Sequence, residues 1–355
     1  MMTDGGLRVA VVGCGAIAEA YHLPALAAQP GLMDRAVLVD PDLPRARTLA
    51  ARFGARRVAA DVDAIAGEID AAIVATPPGL HARVAIPLLA RGVHVLCEKP
   101  LADCAEDAAV MIDQAARSGA RLCVNQTRRA FPAFRRVKEL LDSGAIGECI
   151  SIEHAEGVRF TWQSASGWHF AAGSTARGVL FDQGAHVFDL ICWWLRDKPA
   201  VLSSSTDSFG GPEGVAAVVL EHRACRISIR LSWLSKLSNT YRIVGTRGAI
   251  EGSVSDWRHV TVAGADDRRQ RFTVSSDRGD YLAFGSVVID NFLNVVRGHA
   301  VPLASATSVL PSLQLLDECY RSATRIPMPW LDAHHSAGGR GRQAGEALPE
   351  LRTNV

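Results

Sequence analysis

The sequence predicts an α/β Rossmann domain followed by an α+β domain with an open, mainly antiparallel mixed sheet. Three observations carry that prediction. Short apolar runs alternate with helical patterns over residues 7–125, the first run ends in a glycine-rich turn, and β-rich runs later follow one another with turns between them. Continuous apolar strands separated by helices mark a parallel sheet covered on both faces. Strands joined by turns mark an antiparallel one.

The apolar runs of the first region are LRVAVVG (7–13), RAVLVD (35–40), DAAIVAT (70–76), VHVLCE (93–98) and RLCVNQ (121–126). Helical candidates lie near 16–28, 44–53, 81–91 and 104–118. A further helix over 131–143 puts Phe131, Phe134, Val137 and Leu140 on one face. Beyond it come CISIEHAEG, VAAVVLEHR, ACRISIRLSWL, NTYRIVG and AIEGSV. One long helix at 179–195 interrupts them, and two more near 285–297 and 307–323 close the region. A chain of 355 residues exceeds what one core usually serves, so two domains are expected. We divide it into a dinucleotide-binding Rossmann domain (1–128), a second, α+β domain (129–330), to which the resemblance given below assigns substrate binding and oligomerisation, and a flexible tail (331–355).

Charge excludes some partners. Basic side chains number 38 and acidic ones 37, so no global field draws the chain to nucleic acid or to anionic lipid. No apolar stretch reaches the roughly 18 residues of a membrane span, and MMTDGGLRVAVVG does not read as a signal peptide. The eight cysteines form no C-x-x-C pair. Reduced thiols in a cytoplasm therefore fit better than a disulfide framework, and no metal site is expected. His334 and His335 lie in the Gly-rich tail and read as solvated.

The first strand runs into Gly13-Cys14-Gly15-Ala16-Ile17-Ala18, a G-x-G-x-x-A turn. Gly13 would make the tight turn and Gly15 would leave room for a pyrophosphate at the start of a helix. The second strand ends at Asp40, whose carboxylate would accept the ribose hydroxyls of NAD and repel the 2′-phosphate of NADP. The alternative for Asp40 is a turn residue before Pro41, and Arg45 and Arg47 lie just downstream where a phosphate could be held. The third strand ends in Thr76-Pro77-Pro78, with His81 either lining the crevice or merely opening a helix.

Hydride transfer also needs a group that moves the hydroxyl proton. Lys99 leaves the fourth strand on the edge of the glycine loop, ahead of Pro100; a snorkelling surface lysine is the alternative. A positively charged nicotinamide nearby would lower its pKa. In VLFDQGAHVFDLICWWL (179–195), apolar residues occupy nearly the whole circumference. Asp182, His186 and Asp189 fall within a stripe of roughly 60°. Such a stripe should face a ligand cleft or satisfy itself. We assign Asp182 and His186 to function and Asp189 to structure.

Taken in order, Gly13–Ala18, TPPGLH (76–81), Glu98-Lys99-Pro100 and the D-x-G-x-H of Asp182–His186 resemble the Gfo/Idh/MocA oxidoreductases, relatives of glucose–fructose oxidoreductase and inositol 2-dehydrogenase. The resemblance extends over roughly 7–328, through VNQTRRAFPAFRRVKELLDSGAIGE and the closing pattern from Tyr281. It implies a Rossmann domain and an open sheet, with substrate between them at the nicotinamide and a homodimer or homotetramer. It implies that Lys99 polarises the substrate hydroxyl, that His186 is the general acid/base, and that Asp182 fixes substrate or imidazole. On the cofactor side it implies Gly13, Gly15, Ala16, Ile17, Asp40, Thr76, Pro77, His81, Glu98 and Asn125. Glu98 itself reads as a neighbour that holds the turn rather than an acid catalyst.

Two positions depart from the pattern. Arg177 stands where relatives carry glycines, and would either reach the cleft or point to solvent; Pro78 stands where an Asn is frequent. In the segment Trp162, Trp168, His169 and Phe170, Trp168 is the preferred stacking surface for a sugar or cyclitol ring. The leading expectation is an NAD-dependent dehydrogenase or reductase acting on a secondary alcohol of a sugar, aminosugar or cyclitol. The Ala/Arg/Gly-rich composition resembles that of high-GC bacteria, for which a role in making a glycosylated or aminocyclitol natural product is conceivable. The alternatives are a redox-elimination glycosidase of the same fold and a non-catalytic NAD-binding sensor or corepressor.

Overall fold

The computed structural model describes residues 6–65, 67–161, 177–264, 268–274 and 280–329. Trp168 with its aromatic neighbours, the tail at 331–355 and the His334–His335 pair lie outside these residues. The first part runs β1 (Val9–Val12), a π-helical turn (Ala18–His22) continuing into α1 (Leu23–Ala27), β2 (Val37–Val39), α2 (Leu43–Phe53) and β3 (Arg57–Ala59). It continues through β4 (Ala71–Val74), α3 (His81–Ala90), β5 (His94–Cys97), α4 (Ala105–Ser118) and β6 (Leu122–Val124). The strands form one parallel sheet in the order β3-β2-β1-β4-β5-β6.

Side chains alternate along a strand, so an all-apolar strand needs cover on both faces. In β1, Ala10 and Val12 pack with Leu88 and Leu89 of α3 and Met111 of α4. Val9 and Val11 face the other way, onto Leu23, Leu26 and Leu49. β3 escaped the sequence reading because it is an edge strand, with Arg57 exposed and only Val58 as an apolar signal.

The second part runs α5 (Pro132–Asp142), β7 (Cys149–Gly157), α6 (Val179–Leu195), β8 (Ala200–Thr206), β9 (Val215–His222) and β10 (Cys225–Ser232). Then come β11 (Thr240–Gly245), β12 (Gly248–Ser253), β13 (His259–Gly264), β14 (Arg269–Thr273), α7 (Gly285–Val296), α8 (Ala306–Arg321) and β15 (Ala323–Arg325). Among the described residues these strands form a sheet in the order β14-β13-β12-β11-β7-β10-β9-β8-β15. It is mixed: β7–β10 and β8–β15 are parallel and the remaining pairs antiparallel. The strands that sequence reading passed over, β8, β13, β14 and β15, are the outer ones; β8, β14 and β15 carry little apolar alternation, and in β13 it is confined to Val260 and Val262.

Two features position the site. Helix α6 is almost wholly buried, and its first turn is pinned by the buried Glu213, whose carboxylate accepts from the Gly178 and Leu180 amides and from the Tyr320 hydroxyl. A Cβ on Gly178 would lie 1.9 Å from the Glu213 carbonyl, so only glycine fits there. Helix α7, late in the chain, completes the first core: Val288, Ile289, Phe292 and Leu293 pack with Val9, Val11 and Leu23. Each such side chain contributes about 1.5–3 kcal/mol on burial. No helix among the described residues is long and apolar enough to cross a membrane.

Candidate active site

Because β1, β4 and β5 are parallel neighbours, they end on one edge, and the glycine loop and the Glu98-Lys99-Pro100 turn emerge there together. Gly13 has φ +95°, and a Cβ on it would strike the Ala75 carbonyl at 2.6 Å and the Thr76 amide at 2.9 Å. A Cβ on Gly15, by contrast, would meet nothing within 4 Å. Open space thus lies over Gly15, and Ala16 and Ile17, partly exposed, lead into the helix whose first amides lack intrahelical acceptors. This cradle fits a pyrophosphate. Thr76 and Pro77 border it, and the Thr76 hydroxyl oxygen is buried without a hydrogen-bond partner.

Asp40 straps this loop to the end of β2. Its carboxylate accepts from the Cys14 amide at 2.7 Å and the Asp42 amide at 2.8 Å, so it is a turn residue in its own right. Arg45 donates through Nε to the Cys14 carbonyl and lies 3.7 Å from Glu19, so its charge is engaged within the loop.

Lys99, whose peptide bond to Pro100 is cis, reaches across to α6. Its Nζ donates to Asp182 Oδ1 at 2.5 Å and to the Asp182 carbonyl at 3.3 Å. Burial pulls the Lys99 pKa down, but the Asp182 carboxylate raises it by more. The net shift is upward, and the ammonium form is held by its acid partner.

One turn along α6, His186 is buried, and its Nδ1 lies 3.2 Å from Gln126 Oε1. Gln126 Nε2 donates to the Ala185 carbonyl at 3.4 Å, which turns its oxygen toward the imidazole. Nδ1 therefore carries the proton and Nε2 keeps its lone pair, with no hydrogen-bond partner among the described residues. Burial, then the charges of Lys99 and Arg128, hold the imidazole well below its ordinary pKa, so it is neutral. The local Asp182–His186 bond that the spacing allowed does not form; each side chain finds its partner on another element.

Behind His186 stands a buried pair. Arg128 makes two bonds to Glu156, at 2.8 and 2.5 Å, and His154 Nε2 lies 3.2 Å from the same carboxylate. Burial would raise the Glu156 pKa, but Arg128 and His154 hold it far below the usual range.

Three residues expected on the cofactor side support the edge from within instead. Glu98 is buried and accepts from the Asn125 amide at 2.6 Å and the Lys99 amide at 3.0 Å, with His22 Nε2 at 2.7 Å. Asn125 accepts in turn from Thr127 at 3.0 Å and Tyr21 at 3.3 Å. His81 is fully buried, with Nε2 2.8 Å from the Thr76 carbonyl and Nδ1 3.0 Å from the Pro100 carbonyl. It sits between two strand ends, donating from one nitrogen, and burial keeps its pKa low. The buried polar groups of all three are taken up by the protein, which removes them from direct cofactor contact through those atoms. For Glu98 this matches the turn-holding reading.

Arg177 takes neither expected course. It donates to the Asp103 carbonyl at 2.9 Å, approaches Asp317 at 3.7 Å and lies over the rings of Phe181 and Tyr320, tying the start of α6 to α8. Asp189 is structural, paired with Arg129 at 2.6 and 2.8 Å.

Lys99, Asp182 and His186 thus converge from two elements 83 residues apart in the case of the Lys99–Asp182 contact. Sequence reasoning missed Gln126, Arg128, Glu156 and Tyr281, whose hydroxyl donates to Thr127 at 3.3 Å and whose pKa burial pushes up. One signal was available: Asn125-Gln126-Thr127-Arg128 is a polar run at the exit of β6, on the same sheet edge.

Two family profiles match this chain: one described as "Oxidoreductase family, NAD-binding Rossmann fold" over residues 7–126, and the GFO/IDH/MocA C-terminal domain over residues 134–251. The rhizopine catabolism protein MocA of Rhizobium meliloti is 29% identical over 322 residues, covering 87% of this chain and 93% of that protein. KijD10, a 3-ketoreductase from Actinomadura kijaniata solved with NADP and TDP-benzene, superposes with a TM-score of 0.78 at 23% identity over 92% of this chain and 100% of its own. The WlbA dehydrogenase from Bordetella pertussis, solved with NADH and UDP-GlcNAcA, gives 0.75 at 25% identity over 93% and 99%.

Proposed function

The chain belongs to the Gfo/Idh/MocA oxidoreductase family, and on that premise we propose that it is an NAD-dependent dehydrogenase or reductase acting on a secondary alcohol of a sugar, aminosugar or cyclitol. One observation carries the proposal: a charged Lys99–Asp182 pair and a neutral His186 stand together beside the open glycine cradle. A dinucleotide cofactor would be held by the backbone of Gly13, Gly15, Ala16 and Ile17, with Asp40, Thr76 and Pro77 at the rim; when bound it supplies the hydride acceptor or donor. Of solved relatives, KijD10 was solved with NADP and WlbA with NADH. Asp40 at the end of β2 and an Arg45 already engaged with Cys14 and Glu19 favour NAD here.

In the oxidising direction, His186 Nε2 takes the hydroxyl proton of the substrate. Gln126 holds the ring in the tautomer that leaves Nε2 free. The Lys99 ammonium donates to the same substrate oxygen and stabilises the charge that develops there as the proton leaves. Asp182 keeps Lys99 charged and aimed. In the reducing direction the same groups return the proton. Sequence relatives that include an inositol 2-dehydrogenase of Saccharopolyspora erythraea and the D-glucoside 3-dehydrogenase of Escherichia coli support a polyol substrate.

A screen of sugars, aminosugars and cyclitols with NAD and NADP, read by absorbance of the reduced nicotinamide, tests the proposal. Turnover with a polyol and a preference for NAD is expected. Cofactor binding with no turnover on any of these classes would overturn it and favour the sensor reading.

A further inference from the structure

We infer that Cys149 and Cys225 form a reversible dithiol–disulfide couple in the second sheet, oxidised by a hydroperoxide. The two sulfurs lie 2.9 Å apart, whereas a disulfide bond measures about 2.05 Å. They are the one pair of thiols in contact among the described residues, and all eight cysteines are free.

The contact has a cause in the strand geometry. β7 and β10 pair in parallel with Arg226 opposite Ser151, which sets Cys225 opposite Ile150 rather than Cys149. Residues opposite one another share a face, so regular alternation would send Cys149 to the other side of the sheet. A bulge intervenes. Along β11 the pairing passes from Val244 opposite Ser151 to Gly245 opposite Cys149, skipping Ile150. The extra residue is pushed outward, 47% exposed, and the reversed alternation brings Cys149 onto the face of Cys225. Both thiols then border the same apolar cluster.

Access differs between them. Cys225 is buried and Cys149 is partly exposed. The thiol–thiol hydrogen bond favours loss of the first proton, with Cys225 shifted down and Cys149 up, so the two titrate as a pair. Passing the Cys149 proton across the contact frees the reachable sulfur. That thiolate attacks the peroxide oxygen; the O–O bond breaks, giving a sulfenic acid on Cys149 and, with a proton from solvent, water or an alcohol. The Cys225 sulfur then attacks the sulfenic sulfur; the S–S bond forms, the S–O bond breaks and water leaves. Two electrons pass from the two thiols to the hydroperoxide, which is reduced. A small-molecule dithiol reverses the change. The crosslink joins positions 76 residues apart and restricts the unfolded chain.

The test uses the full chain and hydrogen peroxide in small excess, followed by thiol counting, non-reducing peptide mapping and thermal unfolding. Expected are the loss of two thiols out of eight, one crosslinked peptide pair joining Cys149 to Cys225, and a rise in the unfolding midpoint, all reversed by dithiothreitol. The rise is absent in Cys149→Ser. In Cys225→Ala, Cys149 halts at the sulfenic acid, which dimedone traps. A full count of free thiols after treatment, first reaction at another cysteine such as Cys104, or an oxidised Cys149 that never crosslinks in the unaltered chain would overturn the inference.

Discussion

Helix α6 presents two aspartates seven residues apart on one stripe, each paired with a cation from the first half of the chain, and the two pairs do different work. Asp189 and Arg129 leave side chains only 1% and 3% exposed, held by two direct bonds, with Ser308 on the far side of the guanidinium. Asp182 and Lys99 remain 31% and 18% exposed, joined at a single carboxylate oxygen, beside a neutral histidine and an open glycine turn. Chemistry needs a charge that can reach a ligand; the core needs one that cannot. Burial pushes the Asp189 carboxyl up despite Arg129, whereas Asp182 keeps Lys99 charged at the cleft.

The largest expected effect falls on the cleft pair. Lys99→Met lowers kcat by about 10^3-fold, within the range that proton transfer and charge stabilisation supply, while the unfolding midpoint stays close to that of the parent. Steady-state kinetics and a thermal melt on one preparation check both halves. Arg129→Met inverts the pattern. Removing one partner of a fully buried pair costs about 3–5 kcal/mol of stability, read by denaturant unfolding, and whatever folded protein remains turns over normally per active site. Equal activity losses in the two variants would erase the distinction.

A smaller effect tests how the imidazole is held. Gln126→Ala removes the acceptor from Nδ1, frees the wrong tautomer, and lowers kcat on the order of 10-fold with little change in cofactor affinity. Gln126→Glu, still an acceptor, raises the His186 pKa and moves the acid limb of the kcat/KM profile upward. In the parent that limb lies below the ordinary histidine range, since burial, Lys99 and Arg128 all depress the pKa.

The smallest is a slope in stability. His81 and His186 both have folded pKa values below the unfolded value of about 6.5. Below that pH the unfolded chain binds protons that the folded chain does not. Stability is therefore full above about pH 6.5 and falls as pH drops, by up to roughly 1.4 kcal/mol per unit for each group. Replacing His81, which only clamps backbone, with Asn flattens part of the slope without shifting the kinetic limb.

Much of this was legible in the sequence. The central strands and the buried α6 followed from continuous apolar runs, which are densest where an element is covered all round, and the Asp182/His186 stripe stood out against that background. Edge strands such as β3 and β14 were not legible, because half-exposed strands lose the apolar signal. Within the site, Lys99 and its partners could be named from motifs, but the destination of each bond could not. His81, left between lining the crevice and opening a helix, and Asn125, implied at the cofactor, bond within the protein as Glu98 does; Arg177, left between cleft and solvent, is tied to Asp103 and lies over Phe181 and Tyr320. Position on the right sheet edge says that a residue is near the site, and only the fold decides whether its side chain faces ligand or protein.

The most direct test of the account compares two numbers on His186→Ala: the dissociation constant for NADH by fluorescence, and the single-turnover rate of hydride transfer with the polyol that the screen yields. Affinity unchanged and the rate lowered by about 10^2-fold or more is the predicted result. A parent-like rate, or a loss of NADH binding equal to the loss of rate, would contradict the assignment of His186 as the group that moves the proton.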